Sequence, residues 1–309
     1  MKRKLEGAFR LPKQAHQPVL LKDVLSYLRP KPGHMVLDGT VGSAGHARAI
    51  LAHIGPKGFL IGLDQDQQAI DRAQKQLEQV GGNFILKCSH FVHLGNVLDS
   101  LNLSRIHAVL LDIGVSTEQL EDRERGFGFR TDGPLDMRMD PVTQTVTAAG
   151  ILETKSIDDL TWIFRTYGEE RYARGIARKI VEIRQTHPIR TTTELRTLIE
   201  RLTPVRRRFG RIHPATRVFQ ALRIAVNGEL DALKEVLPRA FGRLEVGGKL
   251  AVISFHSLED RIVKHTFLSW KKDGSGEVLT KKPVRPDSME VAENPRARSA
   301  KLRVVERKS

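Results

Sequence analysis

The chain has 309 residues, 40% of them hydrophobic, and 51 Lys and Arg against 36 Asp and Glu, for a net charge of +15. That length and composition build one large domain or two ordinary ones, with about three quarters of the unfolded surface buried. No apolar run reaches the roughly 18 residues of a membrane helix, and a single cysteine, Cys88, excludes an internal disulfide and argues against a thiolate zinc site.

The charge is unevenly placed. Residues 1–31 hold eight Lys and Arg against two acids, residues 151–225 sixteen against eight, and residues 271–309 eleven against six. The rest carries an acidic excess. Three basic regions on such a body suit a polyanion such as RNA, with plain solubility as the alternative. The opening MKRKLEGAFR lacks the apolar stretch of a signal peptide. With the cysteine usage, this predicts a cytoplasmic protein without a membrane or metal partner.

In chain order, apolar runs at 35–40, 58–64, 83–88 and 106–114 predict four strands. Helical patterns separate them, as in residues 66–80, where Ile70, Ala73, Leu77 and Val80 share a face. Strands alternating with helices imply a parallel, Rossmann-like α/β sheet. Asp38, Asp64 and Asp112 close three of the runs, at the ends where open sheets bind ligands. Residues 113–145 read as a long loop, of the kind that is usually functional. Residues 146–225 show only helical patterns, with capping-box spacings at Ser156/Asp159 and Thr191/Glu194. HPATRVFQALRIAVNGELDALKEVL reads as one long amphipathic helix behind Pro214. A strand then follows the double glycine Gly247-Gly248, a helix opens with Ser257/Asp260 at capping spacing, and 300–307 gives one more strand. The expected architecture is one α/β sheet interrupted by an all-helical insert. Residues 1–115 form the first part of the sheet domain, 116–222 the loop and insert, and 223–309 the second part with a basic tail.

The stretch VLDGTVGSAGHARAI joins a strand to a helix through Gly39, Gly42 and Gly45. A dinucleotide turn reads G-x-G-x-x-G; this one reads G-x-x-G-x-x-G directly after an acid. Asp38 would repel a pyrophosphate. S-adenosylmethionine carries an ammonium and a sulfonium and no phosphate, so Asp38 and Asp112 suit it, with Asp64 placed for the ribose hydroxyls. A tight turn with no ligand stays as the alternative. Ser116 and Gln119 stand at capping-box spacing, so Gln119 reads first as the closure of a helix start. Phe91 reads as a core aromatic and His256 as a buried histidine. Arg206, Arg207, Arg208 and Arg211 form either a solvated face or a phosphate contact.

At this point the sequence resembles a known family, the bacterial small-subunit (16S) ribosomal RNA cytosine-N4 methyltransferases (RsmH, older name MraW). The resemblance is carried by HQPVLL (16–21), DGTVGSAGH (38–46), LLDIGVS (110–116), RGFGFRTDGPLDMRMD (125–140), YGEERYARGIARKI (167–180), HPATRVFQALRIAVN (213–227), ISFHSLEDRIVK (253–264) and ENPRARSAKLRV (293–304). It implies a class I methyltransferase fold and methyl transfer from S-adenosyl-L-methionine to N4 of a cytidine in the decoding region. Ala44, Gly45, His46, Asp64, Phe91, Asp112 and Gln119 are then implied as cofactor contacts, and the insert as an RNA binder. The implied partner is small-subunit ribosomal RNA or the assembling small subunit; oligomeric state, a homodimer included, stays open. The chain departs from the family pattern at Ala44, where GGH is common, and at Thr117-Glu118, where GVSSPQL is common.

Cytosine N4 is a poor nucleophile, so an acceptor must hold its N–H groups. Asp112, Asp132 and Asp136 are candidates, with Asp112 preferred as the catalytic residue. The aspartate or asparagine followed by two prolines and an aromatic, frequent in amino-methyltransferases, is absent: Asp112 is followed by Ile113, Gly114 and Val115. Carbon-5 methylation needs an attacking cysteine, and Cys88 stands in no catalytic loop. A non-catalytic RNA-binding factor, a protein or small-molecule methyltransferase and a nicotinamide dehydrogenase are the competing classes; glycine spacing disfavours the last.

Overall fold

A computed structural model of the chain describes residues 18–204 and 213–309. The basic N-terminal stretch and the cluster Arg206, Arg207, Arg208 and Arg211 lie outside the described residues.

The described residues form seven strands, β1 (Met35–Asp38), β2 (Phe59–Asp64), β3 (Phe84–Cys88), β4 (Ile106–Asp112), β5 (Leu244–Ser254), β6 (Gly276–Val278) and β7 (Lys301–Arg307). They form one sheet in the order β3-β2-β1-β4-β5-β7-β6. β1 pairs in parallel with β2 and β4, β2 with β3, and β4 with β5. β7 runs antiparallel between β5 and β6. The strand order reverses between β1 and β4, which makes their carboxyl ends the switch point where such sheets bind ligands. Helices cover both faces, so strand interiors are continuously apolar: Val36, Leu60 and Leu110 face one core, Leu37, Ile61 and Leu111 the other. The helix Gln67–Glu78 buries Ala69, Ile70, Ala73 and Leu77 as its spacing predicts.

The insert has its own core, in which Ile151, Phe164, Ile180, Leu195 and Leu222 meet. The capping boxes at Ser156/Asp159 and Thr191/Glu194 both form. The long loop is not free chain. Leu135, Met137 and Met139 sink into the insert core, and Asn227 pins two of their backbones, accepting from Met139 N–H and donating to the Met137 carbonyl at 2.8 Å each.

Four sequence expectations change. The long helix is two, Ala215–Asn227 and Glu229–Gly242, broken at Gly228 with φ 61°. The helix Ala215–Asn227 runs unbroken through residue 222 and packs in the insert core as far as Val226, so we place the insert's exit at Gly228 rather than after 222. The helix Ser257–Lys272 is capped one residue earlier than expected, by His256 with Glu259 instead of Ser257 with Asp260. β5 begins at Leu244 and runs through the double glycine, where its register against β4 shifts between Ile106 and Ala108. The short edge strand β6 has too few residues to show a period.

The loop is tied to the sheet by buried charge. Asp66, just beyond β2, accepts from Arg125 Nη1 at 2.8 Å and from Gln119 Nε2 at 3.1 Å. Arg125 Nη2 donates to the carbonyls of Arg138 and Met139 at 3.2 and 3.0 Å. Breaking one side of a buried pair strands the other charge. Arg125→Met should therefore cost about 3 kcal/mol in denaturant unfolding and speed proteolysis within 113–140. An unchanged midpoint would refute this anchoring.

Candidate active site

The glycine turn after β1 is shaped by what crowds it. A side chain at Gly39 would meet Leu111 Cδ2 at 2.6 Å, so anything larger than glycine must push the buried Leu111 aside. Gly42 has φ 48° and donates its N–H to Asp64 Oδ2 at 2.9 Å, while Asp64 Oδ1 accepts from Asp66 N–H at 2.9 Å. One carboxylate thus joins the turns after β1 and β2. Asp38 is 1% exposed and folds back on its own turn, accepting from Thr40 N–H at 3.1 Å. It supports the turn and does not line the cavity.

Ala44 caps the next helix with φ 61°, the left-handed region that costs an L side chain roughly 1–2 kcal/mol. Its methyl is fully buried, and the residue stands behind the cavity wall, unlike its neighbours Gly45 and His46. Glycine at this position removes the strain. Ala44→Gly should stabilise the protein by about 0.5–1 kcal/mol in thermal unfolding; an equal or lower Tm would show that the buried methyl outweighs the backbone.

The second departure from the family pattern has a contact of its own. Glu118 accepts from the Ser43 hydroxyl, linking the glycine turn to the loop after β4. Gln119 closes the capping box with Ser116, its Oε1 accepting from Ser116 N–H at 3.0 Å while its Nε2 reaches Asp66. The capping expectation is met, and the residue also lines the cavity. Phe91 sits on the short helix Phe91–His93, against the sheet core yet facing the same space.

That cavity is about 490 Å³, within the range of small-molecule sites. Its near wall is the turn with Asp64, Phe91 and Asp112. Its far wall comes from the insert and the β5 end: Phe219, Gln220, Arg223, Phe255, His256 and Glu259. Asp112 lies between the two. Its N–H donates to Thr40 Oγ1 at 2.7 Å, Oδ2 stands 3.7 Å from His46 Nδ1, and the buried Oδ1 has no hydrogen-bond partner. Asp132 and Asp136, the other expected acceptors, are elsewhere: Asp132 is exposed beside Thr193, and Asp136 is doubly bonded to Arg138. Cys88 is exposed at the end of β3, outside the cavity, its thiol pushed up by partial burial and nearby acids.

The far wall holds an ion network that no sequence spacing announced, because its members come from three elements. Arg223 donates to both oxygens of Glu229 at 2.8 Å. Glu259 accepts from the N–H groups of Phe255 and His256 at 2.8 and 3.1 Å. Glu229, His256 and Glu259 approach within 4.8 Å of one another, a grouping that could hold a metal ion. Two facts oppose that. Arg223 already supplies the cation, and His256 Nδ1 accepts from Glu259 N–H, which leaves the proton on Nε2, the nitrogen a metal would need.

Burial, then the charges of Asp38 and Glu259, raises Asp112 to about 8. Burial raises Asp38 to about 7 against the pull of Thr40, and Asp64 to about 6 against the N–H groups of Asp66 and Gly42. A group raised this way keeps its proton in the native state where the unfolded chain has lost it, so its stabilising contribution is full below about pH 4 and fades as pH rises to about 8. Asp112→Asn, always neutral, should match wild type near pH 4 and melt higher than wild type at pH 8 when no ligand is bound. Parallel melting curves across that range would refute the assignment.

Comparison with known proteins decides the family. The sequence model of the MraW methylase family matches residues 13–308. The chain belongs to the MraW methylase family. Its relatives include the ribosomal RNA small subunit methyltransferase H of Syntrophotalea carbinolica, 46% identical over 94% of this chain and 98% of that protein. The protein of the same name from Persephonella marina is 45% identical over 94% and 99%. Among solved structures, a putative rRNA-methylase from Clostridium thermocellum aligns over 96% of this chain and 98% of that one at 12% identity and a TM-score of 0.46. That likeness is too loose to add to the family match. Within the family frame, the glycine turn, Asp64, Phe91, Asp112 and Gln119 gather around one space, whereas Ala44 reaches it only through its backbone neighbours.

Proposed function

We propose that this chain transfers a methyl group from S-adenosyl-L-methionine to the exocyclic N4 of a cytidine in the decoding region of small-subunit ribosomal RNA. The observation that carries the reading is the unpartnered carboxyl oxygen of Asp112, held between the glycine turn and the insert wall. It lies where a cofactor on the sheet and a base from the insert side would meet.

The residues present fit the cofactor. Gly45 and His46 bring backbone close, Asp64 retains acceptor capacity for ribose hydroxyls, Phe91 offers a ring face, and Gln119 has one amide proton to spare. Bound there, the cofactor supplies an electrophilic methyl beside a positive sulfonium. Asp112 is the catalytic residue: it accepts an N–H of N4, which orients the amine and draws its lone pair out of the ring. The target base must leave its stack to enter, at about a few kcal/mol if paired. On the insert, Arg165, Arg171 and Arg178 are exposed and suit phosphate contacts. The partner is small-subunit ribosomal RNA, free or in an assembling subunit.

The test is mass spectrometry of ribosomal RNA nucleosides from cells lacking the protein. N4-methylated cytidine should disappear and return on complementation with wild type but not with Asp112→Asn, whose rate should fall about 100-fold or more. Unchanged N4-methylcytidine in the deletion would sink the assignment.

A further inference from the structure

His46 is buried at 6% exposure at the start of the helix Gly45–Ile54, and both of its ring nitrogens are placed. Nε2 lies 2.9 Å from the Val19 carbonyl. A carbonyl only accepts, so Nε2 carries the proton and Nδ1 presents its lone pair. Nδ1 faces Asp112 Oδ2 at 3.7 Å, while Asp112 Oδ1, on a residue that lines the cavity, is buried with no hydrogen-bond partner. The same carboxyl therefore has one oxygen left to accept from a bound amine and the other beside a basic nitrogen. We propose that Asp112 and His46 form a proton-accepting pair for the amine, with His46 as the positioning residue that receives the proton through Asp112. The proposal rests on the amine methylation proposed above.

The balance is simple. N4 gains a bond to the methyl carbon as the carbon–sulfur bond breaks with its electron pair on sulfur. N4 then has one proton too many for a neutral product. That proton passes to Asp112 Oδ1 as the proton on Oδ2 passes to His46 Nδ1, and the electron pair of the broken N–H bond stays on N4. Asp112 is neutral before and after. A neutral acid is what burial favours at this position. The imidazolium so formed keeps its Nε2–H bond to Val19. Among the described residues, the charges that act on Asp112 are those of Asp38 on β1 and Glu259 on the helix after β5.

The key variant is His46→Gln. Its amide nitrogen can keep the bond to Val19, but its amide oxygen, though an acceptor, is too weak a base to take a proton from Asp112. Single-turnover methylation of small ribosomal subunits from the deletion strain should slow about 100-fold, the low end of general acid–base effects. Affinity for S-adenosylmethionine by calorimetry should stay within about threefold. Wild type should lose rate toward acid pH as Nδ1 protonates, and H46Q should lack that acid limb. A second measurement needs no turnover: imidazole nitrogen NMR of the ligand-free wild type should show His46 protonated on Nε2. Nδ1 protonation, an unchanged acid limb in H46Q, or loss of rate explained wholly by lost cofactor affinity would each overturn the pair. If wild type itself methylates no cytidine, the failure belongs to the proposed function and not to His46.

Discussion

The site depends on one carboxylate that never faces it. Asp66 caps the helix Gln67–Glu78, holds Gln119 and takes the guanidinium of Arg125, all while 2% exposed. Through Arg125 it fixes the carbonyls of Arg138 and Met139, and Met139 enters the insert core. The sheet and the insert are thus joined at the rim of the cavity they share. A buried charge demands its partners, so this joint sets the loop's shape more firmly than apolar contact alone would. Asp64, two residues earlier, does the same for the glycine turn through Gly42.

Two buried walls of opposite character follow. The sheet side gathers three buried carboxyls with raised proton affinity, burial being the largest cause for each. The insert side answers its carboxylates with Arg223, and Glu259 is lowered by His256 and Arg223 despite its burial. The first wall suits a ligand that brings positive charge; the second is already neutralised and suits an uncharged base. The polarity of the cavity is therefore built in before anything binds.

Much of this was legible in the sequence. Strands closed by Asp38, Asp64 and Asp112, helices with capping boxes, and the interrupting insert all follow from local periodicity and turn chemistry, which act over a few residues. What escaped has a common cause. Arg125 with Asp66, Arg223 with Glu259, and His46 with Asp112 join residues from separate elements, and single-sequence spacing carries no signal for them. The misplaced cap at His256 is instructive: Ser257 is the better cap by type, but Glu259 already accepts from Phe255 and His256, which fixes the start one residue earlier. Ala44 shows the reverse case, where the sequence raised the right question and only the backbone angle answered it.

The place of β7 within the sheet bears on how the chain is made. Leu302, Val304 and Val305 are fully buried, and the strand they belong to lies between β5 and β6. It is synthesised last of the seven. From residue 254, where β5 ends, until residue 301, the growing chain carries an apolar strand whose outer edge has no neighbour. Such an edge can recruit a strand from another molecule. The nascent protein therefore passes through a stage in which most of its ligand-facing turns can form while its sheet is still open on one side.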